Sequence, residues 1–477
     1  MKDSFSPTLL LILDGFGIAN KKNKGNAITP KTAPNVFRYM KKYSSSTLKA
    51  SGKSVGLFPR QAGNSEAGHL NIGAGRIVKQ DLVRISESIK DGTFYKNEAF
   101  LHGLRFAKKK KSSVHVMGLL TNAHSGHARL EHLIALLDFF RQKKVKKVYL
   151  HLFTDGRDSP PHSAVEFLTK LRRHMKNGEV IATVMGRYYA MDRNKVWSRT
   201  EKAYNAMVLG RGTCKADSAE EAIAQAYNRG ETDDFICPTI IQKNKKPIAT
   251  IKSDDVIFFF NARSDRARQL TKTFVQPEFN KMNPGSFKRA KKLAHTHFVA
   301  MSEFGPDLPG ILTAYPSRVI ENTLAKAIGE SHRQLYLTET EKYAHVTYFI
   351  NGGHAKAVNG EERRMIRTKR KKHFETHPEM NAKKLTSMIL KELKKESFDF
   401  VCVNYPNADM VAHTGNFEAT KKAVSIMDGE IKKLVDATLK KNGQVLIVAD
   451  HGNAEEMIDL KSGGVITAHT LSIPAVD

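Results

Sequence analysis

A chain of 477 residues exceeds one ordinary hydrophobic core, so two domains are expected, and its longest N-terminal apolar run is far too short to span a bilayer. Its three cysteines, Cys214, Cys237 and Cys402, lie far apart without a C-x-x-C pair, which predicts no disulfide framework and a cytoplasmic setting. The formal charge of +29 comes with lysine runs at 108–111, 143–147, 243–246 and 369–372; scattered and without interleaved aromatics, they suggest a solvated surface and no specific nucleic-acid partner.

The first predicted strand is Thr8–Leu13, a continuous apolar run of the kind buried in a parallel sheet. It ends in Asp14-Gly15. Open α/β sheets bind ligands at the carboxyl ends of their strands, so Asp14 stands where chemistry is expected. A short helix is predicted over 33–42. The stretch Gln61–Gly75, QAGNSEAGHLNIGAG, comes next. Its glycines let backbone approach a ligand closely, and amides at a helix start favour an anion. Ser65 sits in its middle. A serine hydroxyl is a weak nucleophile until a base or metal activates it, and without such a group the stretch is only a capped turn.

Beyond a helix at 81–90, strands are predicted at 114–120, 148–153, 180–185, 256–260 and 297–301. Helices at 131–142, 163–176, 199–208 and 218–229 alternate with them, as in a second α/β layer with its own sheet. Three of these strands end beside arginine: Arg157, then Arg187 with Arg193, then Arg263 with Arg266. Guanidinium forks suit phosphate and carboxylate. Any one of them could equally pair with Asp158, Asp192 or Asp265. Taken together, the three clusters predict a cradle for an anionic substrate.

The last third reads as a helix at 318–329, a strand at 335–338, a basic irregular excursion at 360–380 and a helix at 382–396. A buried strand at 398–403 leads to Asp409 and His413, one helical turn apart. A long helix at 418–441 precedes the strand 445–449, which ends in Asp450-His451. His469 lies near the C-terminus. If the strands leading to Asp14, Asp409 and Asp450 are neighbours, three carboxylates converge, which is unfavourable unless a cation sits among them. His413, His451 and His469 add imidazoles. Oxygen and nitrogen donors without thiolate suit manganese, zinc, cobalt or magnesium, and a metal pair would also activate Ser65.

The motifs QAGNSEAGHLNIGAGR, FTDGRDSPP, GRYYAMDRNKVW, ETEKYAHVT, ADMVAHTG, ADHGN and TAHT run in order through nearly the whole chain. They resemble the cofactor-independent phosphoglycerate mutases of the alkaline phosphatase superfamily. The resemblance implies an α/β protein with an alkaline-phosphatase-like domain formed by residues 1–78 and 312–477, and an inserted α/β transferase domain over 79–311. It implies two divalent metal ions, manganese first, with cobalt, zinc or magnesium as alternatives. One would be held by Asp409, His413 and His469, the other by Asp14, Ser65, Asp450 and His451. The implied substrate contacts are His127, Arg157, Asp158, Arg187, Arg193, Arg263, Arg266 and Lys342. Registering on Glu131-His132-Leu133 selects His127, with His124 as the other candidate. The implied reaction interconverts 3-phosphoglycerate and 2-phosphoglycerate through a phosphoserine at Ser65, in a monomer without membrane partners. The alternative is another metal-dependent phosphomutase or phosphatase of the same superfamily.

Overall fold

The apolar run Thr8–Leu13 is the organising strand of the first sheet in a computed structural model that describes residues 5–19, 23–123, 125–368, 373–460, 462–471 and 473–476. It pairs in parallel with Phe400–Tyr405 on one side and with Gln444–Val448 on the other. Leu9, Leu11 and Leu13 pack on one face, against Leu385 and Ile389 of helix Ala382–Lys395 and Met427 and Ile431 of helix Phe417–Leu439. Leu10 and Ile12 pack on the other, with Tyr336, Val346 and Ile350. Burying each such aliphatic side chain stabilises the fold by roughly 1.5–3 kcal/mol, which is why the strand is apolar at every position after Thr8. The sheet continues outward through Gln334–Glu339 and Glu362–Ile366, all parallel.

The chain divides into two compact units, residues 1–80 with 318–477, and residues 81–317. The second unit has its own sheet, ordered Ile311–Tyr315, His297–Ser302, Val256–Phe259, Val114–Leu120, Val148–Thr154 and Val180–Gly186, all parallel. Thr239–Lys243 then joins antiparallel and carries Cys214–Ala216 at its outer side. Ile311–Tyr315 is thus an edge strand of the second sheet, so that unit runs past residue 311, where the sequence reading ended it. The first unit extends to Gln80, whose amide donates to the Gly56 carbonyl at 2.9 Å.

Three local expectations are corrected. The helix predicted over 318–329 covers only Leu324–Ile328. Upstream of it the backbone bonds elsewhere: Arg76 donates to the Glu321 carbonyl at 2.6 Å, and the Ile320 amide to Gly352 at 2.8 Å. The excursion over 360–380 contains the strand Glu362–Ile366, while its lysine run 369–372 lies outside the described residues. Finally, Cys214 and Cys237 form a disulfide, with Cα atoms 6.4 Å apart. Pairing of Cys214 opposite Thr239 delivers the two thiols to each other despite 23 residues of separation. The cysteines therefore supply no argument for a reducing compartment. Among the described residues, no helix is long and apolar enough to cross a membrane.

A buried polar line crosses the second sheet. His115 Nε2 lies 3.2 Å from Asp255 Oδ2, His115 Nδ1 lies 3.0 Å from His151 Nε2, and His151 Nδ1 lies 2.9 Å from Thr183 Oγ1. With both imidazoles neutral and His115 donating to the carboxylate, the line is satisfied when His151 donates to His115 and Thr183 donates to His151. Burial lowers the pKa of each, chiefly against the attraction of Asp255 for His115, and burial also takes His132 down to about 3. The unfolded chain takes up protons at these positions below about pH 6.5 and the folded chain does not. Stability is therefore complete above that pH and falls as pH drops below it. In the presence of a chelator, the urea midpoint should be lower at pH 5 than at pH 7; an unchanged midpoint would contradict neutral buried histidines.

Candidate active site

Asn64 starts the helix Ser65–Ala74, its side chain accepting from the Ala67 amide at 2.9 Å, so Ser65 is the first helical residue. The expected capping role belongs to Asn64 rather than to Ser65, which leaves the serine hydroxyl for other partners. Gly68 permits the helix to lie against the neighbouring strand end: a Cβ there would collide with the Asp450 carbonyl. Ser65 is thereby held beside Asp450-His451, with Oγ 2.9 Å from His451 Nε2 and 3.5 Å from Asp14 Oδ1.

Lys342 sits in the turn after strand Gln334–Glu339 and is buried. Its ammonium donates to Asp14 Oδ1, Asp409 Oδ2 and Ser65 Oγ, each at 2.7 Å, which spends all three hydrogens. Burial opposes its charge, but Asp14, Asp409 and Asp450 together hold its pKa above the ordinary lysine value. Burial likewise opposes ionisation of Asp409, and Lys342 overrides it, holding the carboxyl well below the usual range.

Two groups of donors form here. Asp409, His413 and His469 make one, and Asp14, Asp450 and His451 the other; within each group, candidate ligand atoms lie within 4.8 Å of one another. Hydrogen bonding orients the imidazoles. His413 Nδ1 donates to Thr467 O at 2.7 Å, His469 Nδ1 to Gly63 O at 2.9 Å, and His451 Nδ1 to Gly452 O at 3.1 Å. Each Nε2 lone pair is then turned inward. His413 Nε2 and His469 Nε2 face each other at 3.1 Å, and each is within 3.4 Å of Asp409 Oδ1. Facing lone pairs beside a carboxylate require a proton or a metal between them. The carboxylates' demand for a cation is visible at His451 as well: burial would lower its pKa, yet Asp450, Asp14 and Asp409 push it up to about 10. The donor set fits a divalent ion at each group.

Neighbouring side chains fix these carboxylates. Asn404 Nδ2 donates to Asp14 Oδ2 at 2.7 Å, and Asn453 Nδ2 to Asp409 Oδ1 at 2.7 Å. His69 Nδ1 donates to the Ser65 carbonyl at 2.9 Å. Buried Glu455 accepts from the amides of Gly17 and Asn453, tying the turn after Asp14 to the segment after His451. None of these is given a role by the sequence reading, although His69 lies inside QAGNSEAGHLNIGAGR and Asn453 inside ADHGN.

The second unit gathers the arginines at the carboxyl edge of its parallel strands. Arg187, 2% exposed, donates to Asp155 Oδ1 at 2.5 Å and lies 3.1 Å from Asp158 Oδ2. Arg157 donates to Asp234 at 2.7 Å and Arg193 to Asp265 at 2.7 Å, while Arg263 lies 3.4 Å from Asp265. Arg266 is lowered to about 10, first by burial and then by Arg193, Arg187 and Arg157. Such crowding of guanidinium groups suits an anion. His127 is buried, its Nδ1 3.8 Å from Asp265. Burial and then Arg187 take it down to about 4, against the pull of Asp265, so it is neutral near pH 7. His124 lies outside the described residues.

The residue that sequence reasoning passed over in this cluster is Asp155. It is 1% exposed and accepts from Thr121, Ser159 and Arg187, while the sequence directed attention to Asp158 three positions on.

Comparison with known proteins agrees with the geometry. Residues 85–306 match the family model described as BPG-independent PGAM N-terminus. The chain is 45% identical over 474 residues to the 2,3-bisphosphoglycerate-independent phosphoglycerate mutase of Acetivibrio thermocellus, covering 98% of this chain and 91% of that protein. It belongs to that family. A second relative, the enzyme of the same name from Clostridium novyi, is 46% identical over 470 residues, with coverages of 98% and 90%. Among solved structures, Leishmania mexicana phosphoglycerate mutase at low cobalt concentration superposes with a TM-score of 0.76 at 29% identity, over 100% of this chain and 90% of that one. The family and α/β class implied by the sequence motifs are thus confirmed.

Removing Asp155 should expose how far Arg187 depends on it. Breaking a buried ion pair from one side costs about 3 kcal/mol. Asp155→Ala should lose roughly that much in urea unfolding; a loss below about 0.5 kcal/mol would show that Asp158 alone suffices.

Proposed function

We propose that this family member interconverts 3-phosphoglycerate and 2-phosphoglycerate without 2,3-bisphosphoglycerate, by way of a phosphoserine at Ser65. The observation that carries the reading is Ser65 Oγ itself, a buried hydroxyl accepting from Lys342 and facing His451 Nε2 among three carboxylates. Two divalent ions, manganese by preference with cobalt, zinc or magnesium able to serve, would be held by Asp409, His413 and His469 and by Asp14, Ser65, Asp450 and His451; they would stabilise the serine alkoxide and the phosphoryl oxygens. Lys342 donates to the oxygen that must become nucleophilic and so favours its deprotonated form. Ser65 Oγ bonds to phosphorus as the bond to the glycerate O3 breaks, and that oxygen gains a proton. The glycerate O2 then bonds to phosphorus, its proton passes to the protein, and Ser65 is released. His127, neutral and buried, and Asp158 are the groups suited to move these protons. Arg157, Arg187, Arg193, Arg263 and Arg266 would hold the carboxylate and phosphate of the substrate. Retaining glycerate while excluding water is what separates a mutase from a phosphatase. The same reading makes this a monomeric cytoplasmic enzyme of glycolysis and gluconeogenesis acting on a small molecule.

An enolase-coupled assay with 3-phosphoglycerate and no bisphosphoglycerate tests the activity. Ser65→Ala should lose turnover by at least about a thousandfold with unchanged circular dichroism, since water cannot replace an intermediate that returns its phosphate. A near-normal rate would rule out the phosphoserine route. Ligand histidines bind metal only when neutral, so calorimetric manganese affinity should fall as pH drops from 8 to 6. Affinity independent of pH would contradict imidazole ligation.

Arg263→Ala separates the roles of the two residue sets. It should cut mutase turnover severely, leave manganese affinity unchanged and divert residual chemistry toward free phosphate. Loss of manganese binding in that variant would contradict the assignment of Arg263 to substrate.

A further inference from the structure

Lysine runs that stand apart in the sequence come together in the second unit. Its parallel strands are each entered from the same edge, opposite the edge that carries the arginines. Hydrogen bonds join the entering segments in a line. Asn177 Nδ2 donates to Val145 O at 2.8 Å, the Val114 amide to Lys147 O at 2.9 Å, the Val256 amide to Ser113 O at 3.0 Å, and the His297 amide to Asp255 O at 3.1 Å. The line therefore carries, in order across the sheet, Lys176, the run 143–147, the run 108–111, Lys252 and the segment 288–292. Every lysine in it is exposed. Among the described residues, the acidic side chains of these segments are Asp254, which pairs with Lys110 at 2.9 Å, and Asp255 and Glu179, which are buried.

Part of this charge has a local use. The helices Glu98–Lys110, Leu130–Gln142 and Ala164–Arg172 all end at this edge, and cations stabilise helix C-termini. That effect fades within the last turn and is met by one or two cations per helix, whereas four lysines close Glu98–Lys110 and four more follow Leu130–Gln142. The surplus repels itself, and a polyanion that releases the small counterions around it would relieve that repulsion.

The shape of the array points to the kind of polyanion. Five adjacent strand starts at about 4.8 Å spacing make a row of roughly 19 Å, which one nucleic-acid strand would face with about five phosphates. The charges are flexible ammonium groups, and the rings nearest them, Phe106 beneath Lys110 and buried Phe139 beneath Lys143, each at 6.0 Å, are faced by the lysines themselves, which suits backbone contact without sequence preference. A bilayer would also attract lysines, but among the described residues these segments hold no exposed large apolar side chain to anchor in it. We propose that this edge of the second unit binds nucleic acid through its phosphate backbone, independently of base sequence.

Fluorescence anisotropy of the full chain with labelled 20-nucleotide RNA and 20-base-pair DNA, two unrelated sequences of each, tests this between 50 and 200 mM salt. Binding should be similar for both sequences of a kind and fall steeply with salt; the RNA and DNA arms identify which backbone is preferred. K108Q/K109Q/K110Q/K111Q and K143Q/K144Q/K146Q/K147Q should each weaken binding at least about tenfold and flatten the salt slope, at unchanged mutase rate. K383Q/K384Q/K394Q/K395Q, an equal charge change on exposed lysines of the first unit, should alter affinity less than about twofold. No binding at 50 mM salt, an equal loss in the first-unit variant, or binding to phosphatidylserine vesicles with none to nucleic acid would each overturn the proposal.

Discussion

The buried ammonium of Lys342 is the contact on which the first unit's site depends. Asp14, Asp409 and Asp450 leave neighbouring strands at one sheet edge, and three carboxylates in a dry pocket would repel one another strongly. Lys342 offsets one of those charges and touches two of the three groups. His451, pushed up to about 10 by the same carboxylates, offsets a second, and His413 and His469 turn their Nε2 atoms toward Asp409. The same Lys342 ammonium reaches Ser65, so the residue that makes the carboxylates tolerable also donates to the hydroxyl proposed as nucleophile.

The second unit solves the opposite electrostatic problem. There arginines crowd one another, and Asp155, Asp158, Asp234 and Asp265 each take one or two of them without neutralising the cluster, as the lowered Arg266 shows. Such a crowd of guanidinium forks suits carboxylate and phosphate. His127 stays neutral in it because burial and Arg187 outweigh Asp265.

Much of this was legible in the chain. Thr8–Leu13 and the strand before Asp450 read as buried because they are apolar without alternation, and their terminal aspartates marked the edge where ligands bind. The motifs around Ser65, Arg157, Asp409 and His469 carried the family. What escaped is what depends on a partner from elsewhere in the fold. Asp155 and Asn404 look like ordinary turn and strand residues until the side chains they meet are known. Cys214 and Cys237 carry no spacing signal, since their meeting is a property of strand pairing. Residues 318–323 have helix-compatible composition, but Arg76 and Gly352 take their backbone groups. The lysine runs looked scattered because distance along a parallel sheet's sequence bears no relation to distance along its edge.

The pairing of Thr8–Leu13 with strands at 400–405 and 444–448 also sets a timetable for synthesis. At about 5–20 residues per second, the ribosome needs roughly 20–90 s after making the first strand to make its last partner. For most of that interval a six-residue stretch with almost no polar side chain has no sheet to join, while residues 81–317, once made, contain everything their own sheet requires. The nascent chain therefore carries one finished unit and one sticky, waiting strand, the kind of segment that holdase chaperones shield from neighbouring chains.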